Sequence, residues 1–137
     1  MQRFINSVAA EMGLPEVTIN WDYLPAKDGY VTKGSYSDGS RSVMINEWIL
    51  ENKSGDDSYT LFSTVVHEMR HYYQHEAIRN PDQFITTQET LDSWKSSIDN
   101  YKSSAGYMRE GMSREEAHKA YRAQTIEVDA RSFAKQS

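Results

Sequence analysis

An α+β fold is predicted by three features of this chain. Its first third alternates apolar and polar residues around an Asp-Gly turn, its middle carries apolar residues at helical spacing, and its last third opens twice on Ser/Thr-x-x-Glu boundaries. At 137 residues the chain suits one hydrophobic core, so a single domain over 1–137 is expected. Apolar residues make up 38% and aromatics 12%, with nine Tyr and three Trp. Large rings that keep a polar tip are therefore expected to build much of the interior.

The elements follow in order. "RFINSVAAEMG" sets Phe4, Ile5, Val8 and Met12 at helical spacing, and Gly13, Leu14 and Pro15 end that helix. "VTINW" alternates Val17, Ile19 and Trp21 with Thr18 and Asn20, the period of a half-buried strand. "GYVTKGSY" and "RSVMIN" flank "SDGS", where Asp38-Gly39 offers the positive-φ tolerance of a tight hairpin. Residues 16 to 46 thus read as a small antiparallel meander. "NEWIL" either extends its last strand or begins a helical turn. Asp57 or Ser58 caps a helix from near Thr60 to about Ile78, which "RNPD" ends. Thr86 and Glu89 have capping-box spacing ahead of a helix with Leu91, Trp94, Ile98 and Tyr101 on one face. "SSAGYMREGM" reads as a loop. Ser113 and Glu116 form a second capping box that opens one final helix from about Arg114 toward the C-terminus.

Charge and composition exclude several classes of partner. The formal net charge is -5, with Lys and Arg scattered, so no basic stripe tracks a phosphate backbone and direct nucleic-acid binding is not expected. No run reaches membrane-spanning length, and the start lacks the uninterrupted apolar core of a signal peptide. A cytoplasmic monomer is the expectation. There is no cysteine, so a transition-metal site must draw on His and carboxylates.

The chemistry concentrates in "VVHEMRHYYQHE". Each helical residue turns the chain by ~100°, so His67 and His71 point the same way one turn apart with Glu68 on their flank. Leu61, Phe62, Val65, Val66, Met69, Tyr72 and Tyr73 fall on the opposite arc and are expected to face the core. Two imidazoles on one face suit Zn²⁺, which accepts neutral imidazole nitrogen and is catalytic when three protein ligands leave a position for water. A carboxylate beside the first ligand then acts as general base on that water. The competing reading is a pair of surface histidines on an amphipathic helix with a solvated glutamate.

His67-Glu68-Met69-Arg70-His71 resembles the HExxH motif of the zincin metallopeptidases. The resemblance implies a zinc-dependent hydrolase of peptide bonds with His67 and His71 as zinc ligands and Glu68 as general base. It also implies a minimal zincin-like domain: an N-terminal helix, a small antiparallel-containing sheet, the motif helix and two further C-terminal helices. The metzincin extension requires a glycine at 74 and a histidine at 77, whereas this chain has Gln74 and Ala77. His75 lies ~12 Å of helix from His67, too far to share an ion, and reads as a partly exposed polar residue.

For the third ligand, "YRAQTIEVDARSFA" is similar to the gluzincin-like pattern E-x-x-A-x-x-F-A of small zincin-like domains of the ImmA/IrrE type, matched by Glu127, Ala130, Phe133 and Ala134. That resemblance makes Glu127 the ligand. Ala120, Ala123, Ala130 and Ala134 also form a small-residue stripe near Glu127 that admits a close helix, and a carboxylate buried there needs a positive partner. The alternative is an exposed Glu127–Arg131 pair one turn apart. Asp129 is expected to bond a ligand histidine or a basic residue, and is the fallback ligand. The thermolysin-like ExxxD pattern is absent, because Arg131 stands at its last position.

His118, Tyr107 and Tyr121 are candidates for stabilising an oxyanion, against the blander reading of solvated or structural residues. Arg70 and Gln74 flank the motif without an assigned role. A strand of the 35–46 hairpin is a candidate edge for an extended peptide substrate. Two other readings stay open: a catalytically silent binding module on the same scaffold, and a phage- or toxin-type protease specific for one protein target.

Overall fold

The computed structural model describes residues 10, 12–14, 17–25, 32–48 and 57–136, with side chains from residue 62 onward in the last segment. Those residues form an α+β arrangement of three strands and five helices, β1 (Thr18–Asp22), β2 (Gly34–Ser37), β3 (Ser42–Asn46), α1 (Asp57–Arg79), α2 (Gln88–Asp99), α3 (Ser104–Arg109), α4 (Arg114–Ala123) and α5 (Thr125–Gln136), with a 3-10 turn at Pro81–Gln83. Most of the expected first helix lies outside the described residues. Its expected end is present: Gly13 takes φ 72° and donates its N–H to the Ala10 carbonyl at 3.1 Å, a left-handed stop natural to glycine.

The sheet is mixed, not a meander. Its order is β1-β3-β2; β1 runs parallel to β3, with Ile19 opposite Val43 and Trp21 opposite Ile45, and only β2–β3 is antiparallel. Alternation reports which face a strand buries but not which neighbour it pairs with. The physical reason for the parallel pairing sits at the end of β3. Asn46, fully buried, donates its amide to the Leu24 and Thr32 carbonyls, both at 2.7 Å. Its Oδ1 accepts from the N–H groups of Leu24 at 2.9 Å and Trp48 at 3.0 Å. One side chain therefore ties both ends of the β1-to-β2 connection to the end of the central strand. The hairpin also differs in detail: Ser37 pairs with Ser42 across a four-residue loop, and the positive φ falls on Arg41 at 47° instead of Gly39. Glu47 lies in a turn and Trp48 is helical, so β3 ends at Asn46; the rest of "NEWIL" lies outside the described residues.

The core packs β3 against α1. Val43, Ile45, Val65, Met69 and Tyr72 join Met12, Leu14 and Val17 in one cluster, and each such side chain contributes about 1.5–3 kcal/mol on leaving water. Ala77, Leu91, Trp94 and Ile126 form a second cluster where α2 and α5 meet the end of α1. Phe62, expected in the core, is exposed. In return polar residues of α1 are buried: His71 and Gln74 lie under α5, in the most extensive helix contact among the described residues, while Glu68 lies beside Gly34 of β2 and Glu76 against Arg41 of the hairpin.

Three boundaries move from their expected places. Thr87, not Thr86, caps α2, its hydroxyl accepting from the Thr90 N–H at 3.1 Å, and Tyr101 falls beyond that helix. The expected loop contains α3, capped by Ser103. The single C-terminal helix is two, broken at Gln124, whose backbone is extended at φ -60°, ψ 140°. The Gln124 amide donates to the carbonyls of Lys102 at 2.8 Å and Tyr121 at 3.1 Å and accepts from the Lys102 N–H at 2.9 Å, replacing the helical bonds lost at the break. The Ser113–Glu116 capping box is present as read.

Candidate metal centre

α1 and α5 bring the sequence-nominated residues together. The Nε2 atoms of His67 and His71 lie 3.2 Å and 3.1 Å from the same carboxylate oxygen of Glu127. The imidazoles meet edge to face with centroids 4.9 Å apart. Glu127 is 1% exposed and turned toward the histidines, away from the surface pairing with Arg131. Ligand atoms of His67, Glu68 and His71 also fall within 4.8 Å of one another. Two ligand atoms bound tetrahedrally at ~2.0–2.1 Å from one zinc ion stand ~3.3–3.4 Å apart. The two histidine–glutamate separations are hydrogen-bond distances a little inside that spacing, so Glu127 as well as Glu68 stands within reach of an ion shared by the imidazoles.

The surroundings fix the chemistry of each nitrogen. Gln74, fully buried, donates its amide to the Ile126 carbonyl at 3.0 Å and to Asp129 at 2.8 Å. Its Oε1 is thereby turned to His71 Nδ1, 2.9 Å away, so Nδ1 carries a proton and donates. Nε2 is left as the nitrogen available to an ion, the arrangement that metal-binding histidines favour. Asp129 meets the expectation of bonding a basic residue and does not reach the imidazoles. It clamps Arg70 through Nε at 2.8 Å and Nη2 at 3.2 Å, while the guanidinium is enclosed by the rings of Tyr73, Trp94 and Phe133. His75 faces Asp38, 3.5 Å away, and takes no part in the cluster.

Glu127 is held as a carboxylate. Burial alone would raise its pKa, but the bonds and charge of His67 and His71 outweigh it and bring it down to about 2. Burial likewise opposes charge on His71, yet Glu127 and Glu68 push that imidazole up to about 9. A proton and a metal ion would thus compete for the Nε2 that faces Glu127. The Glu68 carboxyl is raised above the ordinary range, chiefly by desolvation, the direction expected of a base that must hold and release a proton near neutrality.

Sequence reasoning undervalued one residue. The Tyr121 hydroxyl lies 3.4 Å and 3.3 Å from the two Glu127 oxygens, and burial with the Glu127 charge keeps it protonated well above the usual tyrosine range. Tyr101 stacks edge-on against it. The signal was six residues of spacing from Glu127, hidden because the break at Gln124 folds Tyr121 back in a way a continuous helix would not. His118 and Tyr107 lie elsewhere, in clefts between α4 and α5 and beside α2. Gly34 of β2 passes so close to α1 that an added Cβ would stand 2.9 Å from Thr64 Cγ2 and 3.4 Å from Glu68 Cγ. Comparison of the chain with protein-family models, with curated proteins and with solved structures finds no match in any of the three.

Proposed function

We propose that the chain is a zinc-dependent metallopeptidase, with His67, His71 and Glu127 as metal ligands and Glu68 as general base. The observation that carries this reading is the convergence of two imidazole nitrogens on one buried carboxylate oxygen, at 3.2 Å and 3.1 Å, with a second buried carboxyl, Glu68, beside them. When bound, zinc supplies a Lewis acid that brings the pKa of water toward ~7 and polarises the peptide carbonyl.

The residues of the chain do the rest. His71 is held in orientation by Gln74, and Glu127 by the Tyr121 hydroxyl. Among the described residues no hydrogen-bond donor occupies the Glu68 carboxylate, so it is free to take a proton from the attacking water. The water oxygen joins the carbonyl carbon, the C–N bond breaks, and Glu68 returns the proton to the departing amine nitrogen. β2, at an edge of the sheet and against Glu68 at Gly34, is the strand along which an extended peptide would add.

Metal analysis of the purified chain is expected to give about one zinc per molecule, and the loaded protein to cleave members of a quenched-peptide library. Glu68→Gln is expected to keep zinc and lower turnover by about 10²–10⁴-fold. Undiminished cleavage by that variant, or a wild-type chain that takes up no divalent ion, would overturn the reading.

A further inference from the structure

An open cleft of about 500 Å³ lies between α4 and α5, lined by Glu115, His118, Lys119, Arg122, Ala123 and Arg131. Three of those six side chains are permanent cations, in a chain whose net charge is -5. The metal-site chemistry does not use them. Lys119 faces Glu115 at 3.8 Å with both side chains more than three-quarters exposed, a contact of little energetic weight. Arg122 and Arg131 are different: among the described residues neither forms an ion pair or a hydrogen bond, and Arg131 feels Arg122 as a like charge. Burial and the Arg122 charge together depress the Arg131 guanidinium below the ordinary arginine range. Folding gains nothing from setting two guanidiniums against each other in a half-covered cleft. An anion between them would relieve the repulsion and accept forked hydrogen bonds from both.

The cleft adjoins the metal centre. Arg131 follows Glu127 by one helical turn, a rise of ~6 Å, and lies near enough to feel its charge. An extended peptide advances ~3.3 Å per residue, so a group held by Arg131 belongs to a residue one or two positions from the bond at the metal. We propose that Arg122 and Arg131 form a carboxylate-binding subsite that selects peptide substrates with an acidic group one or two residues from the cleaved bond, an inference that rests on the metallopeptidase reading.

Binding tests this without turnover. The full chain carrying Glu68→Gln is titrated with three probes: a blocked tetrapeptide amide containing one Glu, its Gln counterpart, and the Gln peptide with a free C-terminal carboxylate. The Glu peptide is expected to bind about tenfold more tightly than its Gln counterpart. Arg131→Gln and Arg122→Gln are each expected to erase the preference, and Arg131→Lys to retain part of it. A gain confined to the free-terminus peptide supports the subsite and assigns the carboxylate to the chain end. Equal binding of all three, or a preference untouched by both Gln substitutions, overturns the proposal. The two readings fail separately: a carboxylate preference in a chain whose wild type binds no zinc sinks the peptidase and leaves an anion site, whereas cleavage indifferent to neighbouring acids does the reverse.

Discussion

The middle and the C-terminal end of α1 handle carboxylates in opposite ways. At its C-terminal end, Asp38 accepts two bonds from Arg79, at 2.9 Å and 2.7 Å, and one from the Tyr36 hydroxyl at 2.8 Å. Glu76 is bound by Arg79, by Arg41 at 3.3 Å and by Asn80 at 3.2 Å. Each acid there is matched by a permanent cation, and the network pins the β2–β3 hairpin to the helix. In the middle of α1, Glu127 is met by two imidazoles and a phenol, none of which must carry charge. Arg70, on the same stretch of α1, is committed to Asp129. The C-terminal end is electrostatically closed; the middle is closed only when a proton or a metal ion completes it.

The largest expected effect tests that contrast in the open middle. Glu127→Ala removes the one acidic group that, among the described residues, hydrogen-bonds both imidazoles. Zinc affinity, read by competition with a chromophoric chelator, is expected to fall on the order of 10³-fold, since a structural site of four ligands supplies roughly 10–16 kcal/mol in all. Unchanged affinity would move the third ligand to Glu68 and dissolve the distinction. Gln74→Leu follows. It keeps the volume but removes the acceptor for His71 Nδ1–H, and affinity is expected to drop about 10–100-fold, as is usual when the support of a metal-binding histidine is lost.

Arg79→Ala probes the closed end. Asp38 and Glu76 lose their shared cation, and stability measured by urea unfolding is expected to fall by about 1–2 kcal/mol, discounted for the partial exposure of the pair. Zinc affinity should stay within about twofold. A large loss of metal binding in this variant would show the two regions to be coupled and the contrast false.

How much of this was legible beforehand follows from what periodicity can carry. The motif helix, the Ser113–Glu116 box and the separation of strands from helices rest on local spacing, and they appear where that spacing places them. Glu127 was within reach because its neighbours Ala130 and Ala134 are small. The parallel β1–β3 pairing was not legible, because it depends on four bonds from the single side chain of Asn46 to residues up to 22 positions away. Nor was the break at Gln124, where one amide bonded to Lys102 outcompetes a sequence of good helix formers. Tyr121, one of three candidates for an oxyanion role, could not be singled out for the same reason: its distance to Glu127 is set by that break. The roles of Gln74 and Asp129 depended on burial of the polar arc of α1, and the arc's composition alone looked like a solvated face.

The smallest expected effect is a pH dependence that separates the metal-free chain from the loaded one. Without metal, the depressed Glu127 carboxyl contributes stability that is present above its ordinary 4.5 and lost as pH falls toward about 2. The raised His71 contributes stability that is full below its ordinary 6.5 and lost as pH climbs through about 9. Glu68, raised by burial, acts in the same sense as His71, since ionising it inside the protein is unfavourable as pH rises above 4.5. The metal-free chain should therefore be most stable on the acid side, between about pH 4.5 and 6.5, and weaken into the alkaline range. An ion displaces the His71 proton and neutralises both carboxylates, so its contribution should grow with pH. Melting temperatures taken with zinc and with chelator are expected to diverge by several degrees more at pH 8 than at pH 5. A gap that stays constant across that range would mean that proton and metal do not compete for one place, and that Glu127 is satisfied in some other way.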